Sequence, residues 1–221
     1  MNIALIVFAG KGTRISSQIP KQFIKVKGKE IVGYTIETFN NHPLIDEIVL
    51  VTSKEYLAYT KNLVLVSRYH KVSGVFEGGQ TRQESVRNGL NCTSFGDFDN
   101  ILIHDGDRPL VSDQIITNCL RGLAKNDALT VAIRSDKALT EVSNSGRKYF
   151  DKGVSYDIQT PQCLKYKLIK DAHNKLKDYS FNDDASLILE LGGDVKLIEG
   201  DKMNFKVTTD KDLDFLKTII K

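Results

Sequence analysis

The sequence predicts an α/β fold: a Rossmann-like, mostly parallel central sheet flanked by helices, with a projecting β-arm. Three observations predict it. Over the first two-thirds of the 221 residues, short apolar runs alternate with helix-length stretches, the order that gives a parallel sheet with right-handed crossovers. The opening run Ile3-Ala4-Leu5-Ile6-Val7 is continuously apolar, as in a strand covered on both faces. The alternation then breaks, and Asp136 to Gln159 is polar with a turn signal at its centre.

In chain order, strands are expected at Ile3–Val7, Glu47–Thr52, Val72–Phe76, Asn100–His104 and Ala128–Ile133. Helices are expected between them, near Glu30–Asn41, Glu55–Ser67, Thr81–Cys92 and Asp113–Lys125. Asn144-Ser145-Gly146 reads as a hairpin turn joining Ala138–Val142 to Lys148–Phe150, which makes residues 136–159 the β-arm. The alternative for that stretch is a disordered loop, but unstructured loops of such length are uncommon unless they have a function. Beyond the arm, helices are expected near Lys165–Lys177 and Asp183–Leu191, and short strands at Val195–Ile198 and Phe205–Val207. Thr209, with Asp212 three residues on, resembles a helix cap and starts a last helix through Ile220. Internal repeats and low-complexity segments are not seen. The length suits one domain covering residues 1–221.

Composition removes several classes of function. Hydrophobic residues make up 41% and charged residues 27%, ordinary values for a globular protein. The net charge of +3, from 31 basic and 28 acidic residues, has none of the basic excess of a nucleic-acid binder, so nucleic acid is not an expected partner. Apolar stretches fall short of the roughly 18 residues of a membrane span. The N-terminus enters a strand directly with no basic lead or small-residue cleavage site. Cys92, Cys119 and Cys163 are odd in number, widely spaced and free of any C-x-x-C pattern, which predicts reduced thiols and a cytoplasmic protein. His42, His70, His104 and His173 lack metal-ligand spacing, so a structural zinc is not expected.

The most informative stretch is Val7-Phe8-Ala9-Gly10-Lys11-Gly12-Thr13-Arg14, closed by Pro20-Lys21-Gln22. Two glycines straight after a strand permit a tight turn and bring bare N–H groups against an anion, and Arg14 and Lys21 add two fixed positive charges. Such a cradle suits a polyphosphate that gains charge during reaction. Taken alone, it is also what a glycine-rich turn with two surface cations looks like. G-x-G-x-x-G requires a third glycine where Ile15 stands, and a P-loop requires Gly-Lys-Ser/Thr at a spacing that neither Gly10 nor Gly12 provides.

Two further stretches end at the same edge of the sheet, where ligands of open α/β folds collect. His104-Asp105-Gly106-Asp107-Arg108-Pro109 closes a strand with two carboxylates and an arginine. Asp105 suits a hard cation such as Mg²⁺, and Arg108 suits a phosphate, or else pairs with Asp105 or Asp107 as a structural ion pair. His104 reads as a packed strand-end residue rather than a base. Gly78-Gly79-Gln80-Thr81-Arg82-Gln83-Glu84-Ser85 opens a helix. Its backbone, the Gln80 amide and the Ser85 hydroxyl suit the polar edge of a base, while plain capping by Thr81 is the competing account.

G-x-G-T-R followed by Pro-Lys-Gln is the pattern of nucleotidyltransferases that activate sugar and polyol phosphates. Five ordered blocks carry a closer resemblance: Ala9–Arg14 with Pro20–Gln22; Gly78-Gly79 with Arg82 and Ser85; His104-Asp105 with Arg108-Pro109; Thr160-Pro161-Gln162; and Asp183–Ser186 leading to Glu199–Asp201 and Asn204–Thr208. From Ile3 to about Leu216 the chain is similar to the cytidylyltransferase family that includes the 2-C-methyl-D-erythritol 4-phosphate and ribitol-5-phosphate enzymes. The resemblance implies CMP transfer from CTP to a small polyol phosphate, release of pyrophosphate and a need for Mg²⁺. It implies that Arg14, Lys21 and Lys206 act on the phosphates. Ala9, Gly10, Lys11, Gly12, Thr13, Gly79, Gln80, Ser85, Asp105 and Gly106 would hold CTP, with Asp105 also meeting the metal. Arg108, Lys152, Thr160 and Asn182 would hold the acceptor. It also implies a homodimer in which the β-arm of one subunit helps close the acceptor site of the other.

Three residues depart from the family pattern: Phe8 where a small residue is usual, Lys152 where an acceptor-gripping arginine is usual, and Asn182 in place of a threonine. They keep the CTP half and alter the acceptor half, because only arginine offers a bidentate fork. Methylerythritol phosphate is the favoured acceptor, with ribitol 5-phosphate, which would yield CDP-ribitol for a cell-surface polymer, as the alternative. A non-catalytic nucleotide-binding relative would be expected to have lost Arg14, Lys21 or Asp105, and all three are present. A nicotinamide-dependent reductase is disfavoured by the missing third glycine.

Overall fold

The computed structural model describes residues 1–10, 12, 14–92, 95–143, 146–151, 153–177 and 180–220. The N-terminal apolar run forms β1 (Asn2–Val7), followed by a 3-10 turn at Lys21–Phe23 and the short pair β2 (Lys25–Val26) and β3 (Lys29–Glu30). Next come α1 (Ile31–Asn41), β4 (Glu47–Thr52), α2 (Leu57–Ser67) and β5 (Val72–Glu77). Then α3 (Arg82–Asn91), β6 (Asn100–Asp105), α4 (Asp113–Leu123) and β7 (Ala128–Arg134) follow. The hairpin strands β8 (Leu139–Ser143) and β9 (Gly146–Phe150) precede β10 (Tyr156–Lys165). The chain ends with α5 (Tyr166–Lys175), α6 (Asp184–Glu190), β11 (Lys196–Glu199) and α7 (Asp210–Ile219).

Seven strands form the central sheet in the order β11-β7-β10-β6-β1-β4-β5. All neighbours are parallel except β10, which runs antiparallel to both β6 and β7. The strand alternation splits the core into two layers. Ala4 and Ile6 face Ile36, Phe39 and Ile116 on the α1, α2 and α4 side, while Ile3, Leu5 and Val7 face Val86, Leu90 and Ile169 on the other. Helix α3 lies close over β1 and β4 because Gly89 has no Cβ. One built there would come within 2.6 Å of Leu5 Cδ1 and 2.8 Å of Val51 Cγ2. Helix α7 closes a third cluster through Leu213 and Leu216 against Ile15, Val26 and Val207.

The parallel strands stand where the apolar runs placed them. Strand β10 is the main departure, because Tyr-Asp-Ile-Gln-Thr-Pro-Gln does not read as a central strand. Its buried polar side chains are partnered across the sheet instead. Gln162 Nε2 donates to Thr130 Oγ1 at 3.0 Å and Gln159 Nε2 to the Asp201 carbonyl at 2.8 Å. Pro161 falls where the pairing with β7 shifts between Ile158 and Gln162. The hairpin is β8 and β9, exposed except for the half-buried Leu139, with Asn144 and Ser145 outside the described residues. The last residues of the expected arm, from Tyr156, belong to β10. Phe205–Val207 is not a strand; it has no regular secondary structure, with Val207 N–H donating to the Asp107 carbonyl at 2.9 Å. All three cysteines are free thiols, Cys119 and Cys163 buried and Cys92 exposed. Among the described residues, no helix is long and apolar enough to cross a membrane.

Candidate active site

Loops leaving the carboxyl ends of β1, β5 and β6 converge, as parallel strands require. Gly78 lets two of them touch, since a Cβ there would lie 2.5 Å from Ala9 Cβ and 2.7 Å from Ser85 Oγ. Gln22 fixes the first loop from beneath: its amide donates to the carbonyls of Phe8 and Gly10 at 2.7 and 2.6 Å. At Gly12 the backbone turns to φ +64°, and a Cβ would come 2.8 Å from Lys21 Cγ. The loop therefore rests on the Lys21 stem and needs glycine there.

Two clefts open at this edge. The first, about 160 Å³, includes Ala9, Gly10, Lys21, Gly79, Gln80 and Ser85 in its lining. The second includes Arg108, Thr160, Gln162, Asn182 and Asp183. Arg82, Asp105 and Lys206 line both, so the shared boundary is charged. Asp105 is at its centre. One carboxylate oxygen accepts from Arg82 Nε at 2.9 Å, and the other from Lys206 Nζ at 3.0 Å, with Arg108 Nε at 3.5 Å. Burial pushes this carboxyl up, but the charges of Arg82, Lys206 and Arg108 outweigh it and hold Asp105 well below the usual carboxylate range.

Arg82 is held from behind. Its Nη1 donates to Asp184 Oδ2 at 2.7 Å, and His173 Nε2 lies 3.1 Å from Asp184 Oδ1. Gln162 Oε1 accepts from the Asp184 and Ala185 N–H groups at 2.6 and 3.2 Å, anchoring the start of α6. Burial lowers the Arg82 pKa, yet the two carboxylates raise it above its usual value. Burial likewise raises Asp184, while Arg82 and His173 bring it below the ordinary value.

His104 is fully buried at the end of β6, as its sequence context suggested. Burial pushes it down to about 3, so it is neutral. One bonding pattern satisfies every group: Asp105 N–H donates to Thr160 Oγ1 at 3.1 Å, and the Thr160 hydroxyl donates to His104 Nδ1 at 3.0 Å. His104 Nε2–H then donates to the Arg108 carbonyl at 3.3 Å. Thr160, expected beside the acceptor, thus spends its hydroxyl orienting the Asp105 backbone. Arg108 donates Nη1 to the Asn204 carbonyl at 2.9 Å.

Other expected residues fall differently. Arg14 is exposed, and among the described residues neither it nor Gly12 belongs to the lining of these two clefts. Gly106 is buried, its N–H bonded to the Val7 carbonyl and its own carbonyl accepting from Thr35 Oγ1 at 3.0 Å. The Phe8 ring packs over Gly106 and edge-on to Phe23 at 5.9 Å while bordering the first cleft. The Ser85 hydroxyl donates to the Thr81 carbonyl at 2.9 Å and accepts from Gly79 N–H at 3.0 Å, so it builds the loop. Thr81 also caps α3 in a full capping box with Glu84. Gln80 and Asn182 are exposed at the mouths of the clefts. Lys11, Thr13 and Lys152 lie outside the described residues.

Sequence reasoning quoted Arg82 and Asp184 only as parts of motifs and gave neither a role, and it weighed His173 only as a metal ligand. The signal for Arg82 was its place at the start of a helix facing Asp105. Nothing local to His173 announces its partner. Among the described residues, no three His, Cys, Asp or Glu side chains group as a metal cage. A single carboxylate facing a cationic cleft is nonetheless the donor set Mg²⁺ takes when substrate phosphates and water supply its remaining ligands.

An open α/β sheet with a cationic, glycine-walled cleft at its carboxyl edge, joined to a second polar cleft through shared charges, defines a nucleotidyltransferase. The profile of the IspD: 2-C-methyl-D-erythritol 4-phosphate cytidylyltransferase family matches residues 2–221, and the chain belongs to that family. A relative from Clostridium novyi (strain NT), named 2-C-methyl-D-erythritol 4-phosphate cytidylyltransferase, is 40% identical over 225 residues, covering 99% of this chain and 96% of that protein. One of the same name from Thermotoga neapolitana is 33% identical over 221 residues, covering 100% of this chain and 97% of that protein. The crystal structure of 4-diphosphocytidyl-2C-methyl-D-erythritol synthase from Anaerococcus prevotii superposes with a TM-score of 0.85 at 28% identity, covering 98% of this chain and 96% of that one. The Francisella tularensis cytidylyltransferase gives 0.80 at 27% identity over the full length of both.

Proposed function

We infer that this chain transfers CMP from CTP to 2-C-methyl-D-erythritol 4-phosphate with release of pyrophosphate, a step of isoprenoid biosynthesis. The observation that carries the reading is the pair of clefts sharing Arg82, Asp105 and Lys206: two anions entering from opposite sides meet at one charged boundary. The relatives above carry the methylerythritol acceptor in their names, which disfavours ribitol 5-phosphate despite Lys152 and Asn182.

In this reading CTP occupies the first cleft, its triphosphate against the Ala9 and Gly10 backbone, Lys21 and Lys206. The acceptor phosphate occupies the second, near Arg108 and Asn182. That phosphate is already a competent nucleophile at neutral pH, so no covalent enzyme intermediate is needed. The protein's work is to align two anions and neutralise their repulsion. Asp105 would hold Mg²⁺ together with the phosphates, the metal supplying further charge neutralisation. Arg14, exposed on the first loop, completes the cation set once substrate is bound.

The β8–β9 hairpin supports a homodimer. Val142 is 69% and Tyr149 74% exposed on a two-stranded ribbon, and an isolated ribbon of this kind is marginal in water. A second copy of the chain is the proposed cover. The free thiols support a cytoplasmic location.

The test is pyrophosphate release with Mg²⁺ and CTP, offering methylerythritol 4-phosphate and ribitol 5-phosphate separately. Turnover with the first alone is expected. Turnover with the second alone reassigns the acceptor, and failure to bind CTP removes the assignment.

A further inference from the structure

We propose that Asp107 is a positioning residue that latches Lys21 in the substrate-free protein and yields it to an incoming triphosphate. The inference rests on the nucleotide reading of the first cleft. Lys21 is only 7% exposed, and its Nζ lies 2.6 Å from Asp107 Oδ2. The same ammonium donates to the Val207 carbonyl at 2.6 Å, and Val207 N–H is bonded back to the Asp107 carbonyl. Lys21 therefore closes a small ring that ties the 3-10 turn to the β6 loop and to the segment after Asn204. An ammonium has three donors, and two are spent here on protein acceptors.

Asp107 reaches further than this one lysine. Its other oxygen, Oδ1, is buried without a hydrogen bond and lies 3.8 Å from Lys206 Nζ. Asp107 and both lysines line the first cleft, so one carboxylate faces two of the three cations assigned to the phosphates. That charge opposes an anionic ligand in two ways: by direct repulsion, and by occupying the ammonium the ligand needs. When a phosphate oxygen arrives, Lys21 exchanges Asp107 for it while keeping Val207, so the lysine is aimed before and after binding. The cost falls on ground-state affinity for CTP, and weaker ground-state binding does not by itself slow the chemical step. The fraction of protein with Lys21 released scales the apparent affinity.

The experiment is calorimetric titration of CTP with Mg²⁺ into four proteins: the unaltered chain, D107N, K21M and the double variant, with steady-state kinetics on the first two. The latch predicts about tenfold tighter CTP binding by D107N, a matching fall in KM for CTP and an unchanged KM for the acceptor. In the K21M background, D107N should tighten CTP binding far less, because only direct repulsion is left to remove once Lys21 is gone. Unchanged or weaker CTP binding by D107N overturns the latch and makes Asp107 a structural residue. Equal tightening in the K21M background also overturns it, leaving only repulsion through space. If D107N fails to fold, Asp107→Ser takes its place in the same cycle. Absence of CTP binding by the unaltered chain removes the nucleotide reading, and the latch with it.

Discussion

At Asp105 two opposing effects are of different size, and the difference sets the chemistry of the site. Burial alone would favour a neutral acid, yet three cations keep the group ionised and aimed at the boundary between the clefts. Lys206, about one-third exposed, is the member of that set most free to leave for a phosphate. K206M should therefore lower kcat by about 10²–10³, the loss seen when one transition-state donor is removed, while the fold survives; single-turnover kinetics and a melting curve check both. His104 makes a different prediction. Its folded value of about 3 lies below the ordinary 6.5, so the unfolded chain binds more protons between those limits and stability falls as pH drops through that window. Denaturant midpoints in EDTA should decline from pH 6.5 downward, with a slope of up to about 1.4 kcal/mol per pH unit from this group. H104Q should flatten that slope. The depressed carboxylates Asp105 and Asp184 act lower: their contribution is present above about pH 4 and is lost as pH falls through their lowered values.

Between elements, the buried chain His173–Asp184–Arg82–Asp105 joins α5, α6, α3 and β6. The link between Arg82 and Asp184 spans 102 positions and joins two distant pairs of neighbouring elements, and the chain crosses from the scaffold into the active site. Asp184 is 1% exposed, so removing its charge leaves Arg82 with one carboxylate and little water. D184N should destabilise the protein by about 3 kcal/mol, the cost of breaking a buried pair, read as a lower denaturant midpoint at constant m-value. The expected strands and helices were readable because each carries its own period and caps, as Thr81 with Glu84 and Thr209 with Asp212 show. Strand β10 was not, because its polar side chains take their partners from β7, α6 and the 201–204 segment. Phe205–Val207 failed in the opposite sense. Its apolar residues suggested a strand, but Val207 is buried under α7 rather than in the sheet.

For the molecule as a whole, the hairpin is a two-stranded ribbon with Val142 and Tyr149 exposed. If it covers a second copy, light scattering should give about twice the 24.8 kDa chain mass, and Y149D should return the monomer. A monomeric unaltered chain would remove the dimer from the reading. Because the hairpin leads into β10, whose Thr160 supports Asp105, monomerisation should raise KM for the acceptor more than KM for CTP.

The sequence by itself determined the parallel half of the sheet, the glycine loops and the presence of Lys21, Asp105 and Arg108 at one edge. Apolar periodicity and glycine requirements are local, and strand direction then sends every loop to the same side. Only the tertiary structure decided which charges meet. Lys21 with Asp107, Lys206 with Asp105, and Arg82 between Asp105 and Asp184 are pairs separated by between 23 and 102 positions. The energy of such pairs depends on distance and burial, and neither quantity is written in local sequence.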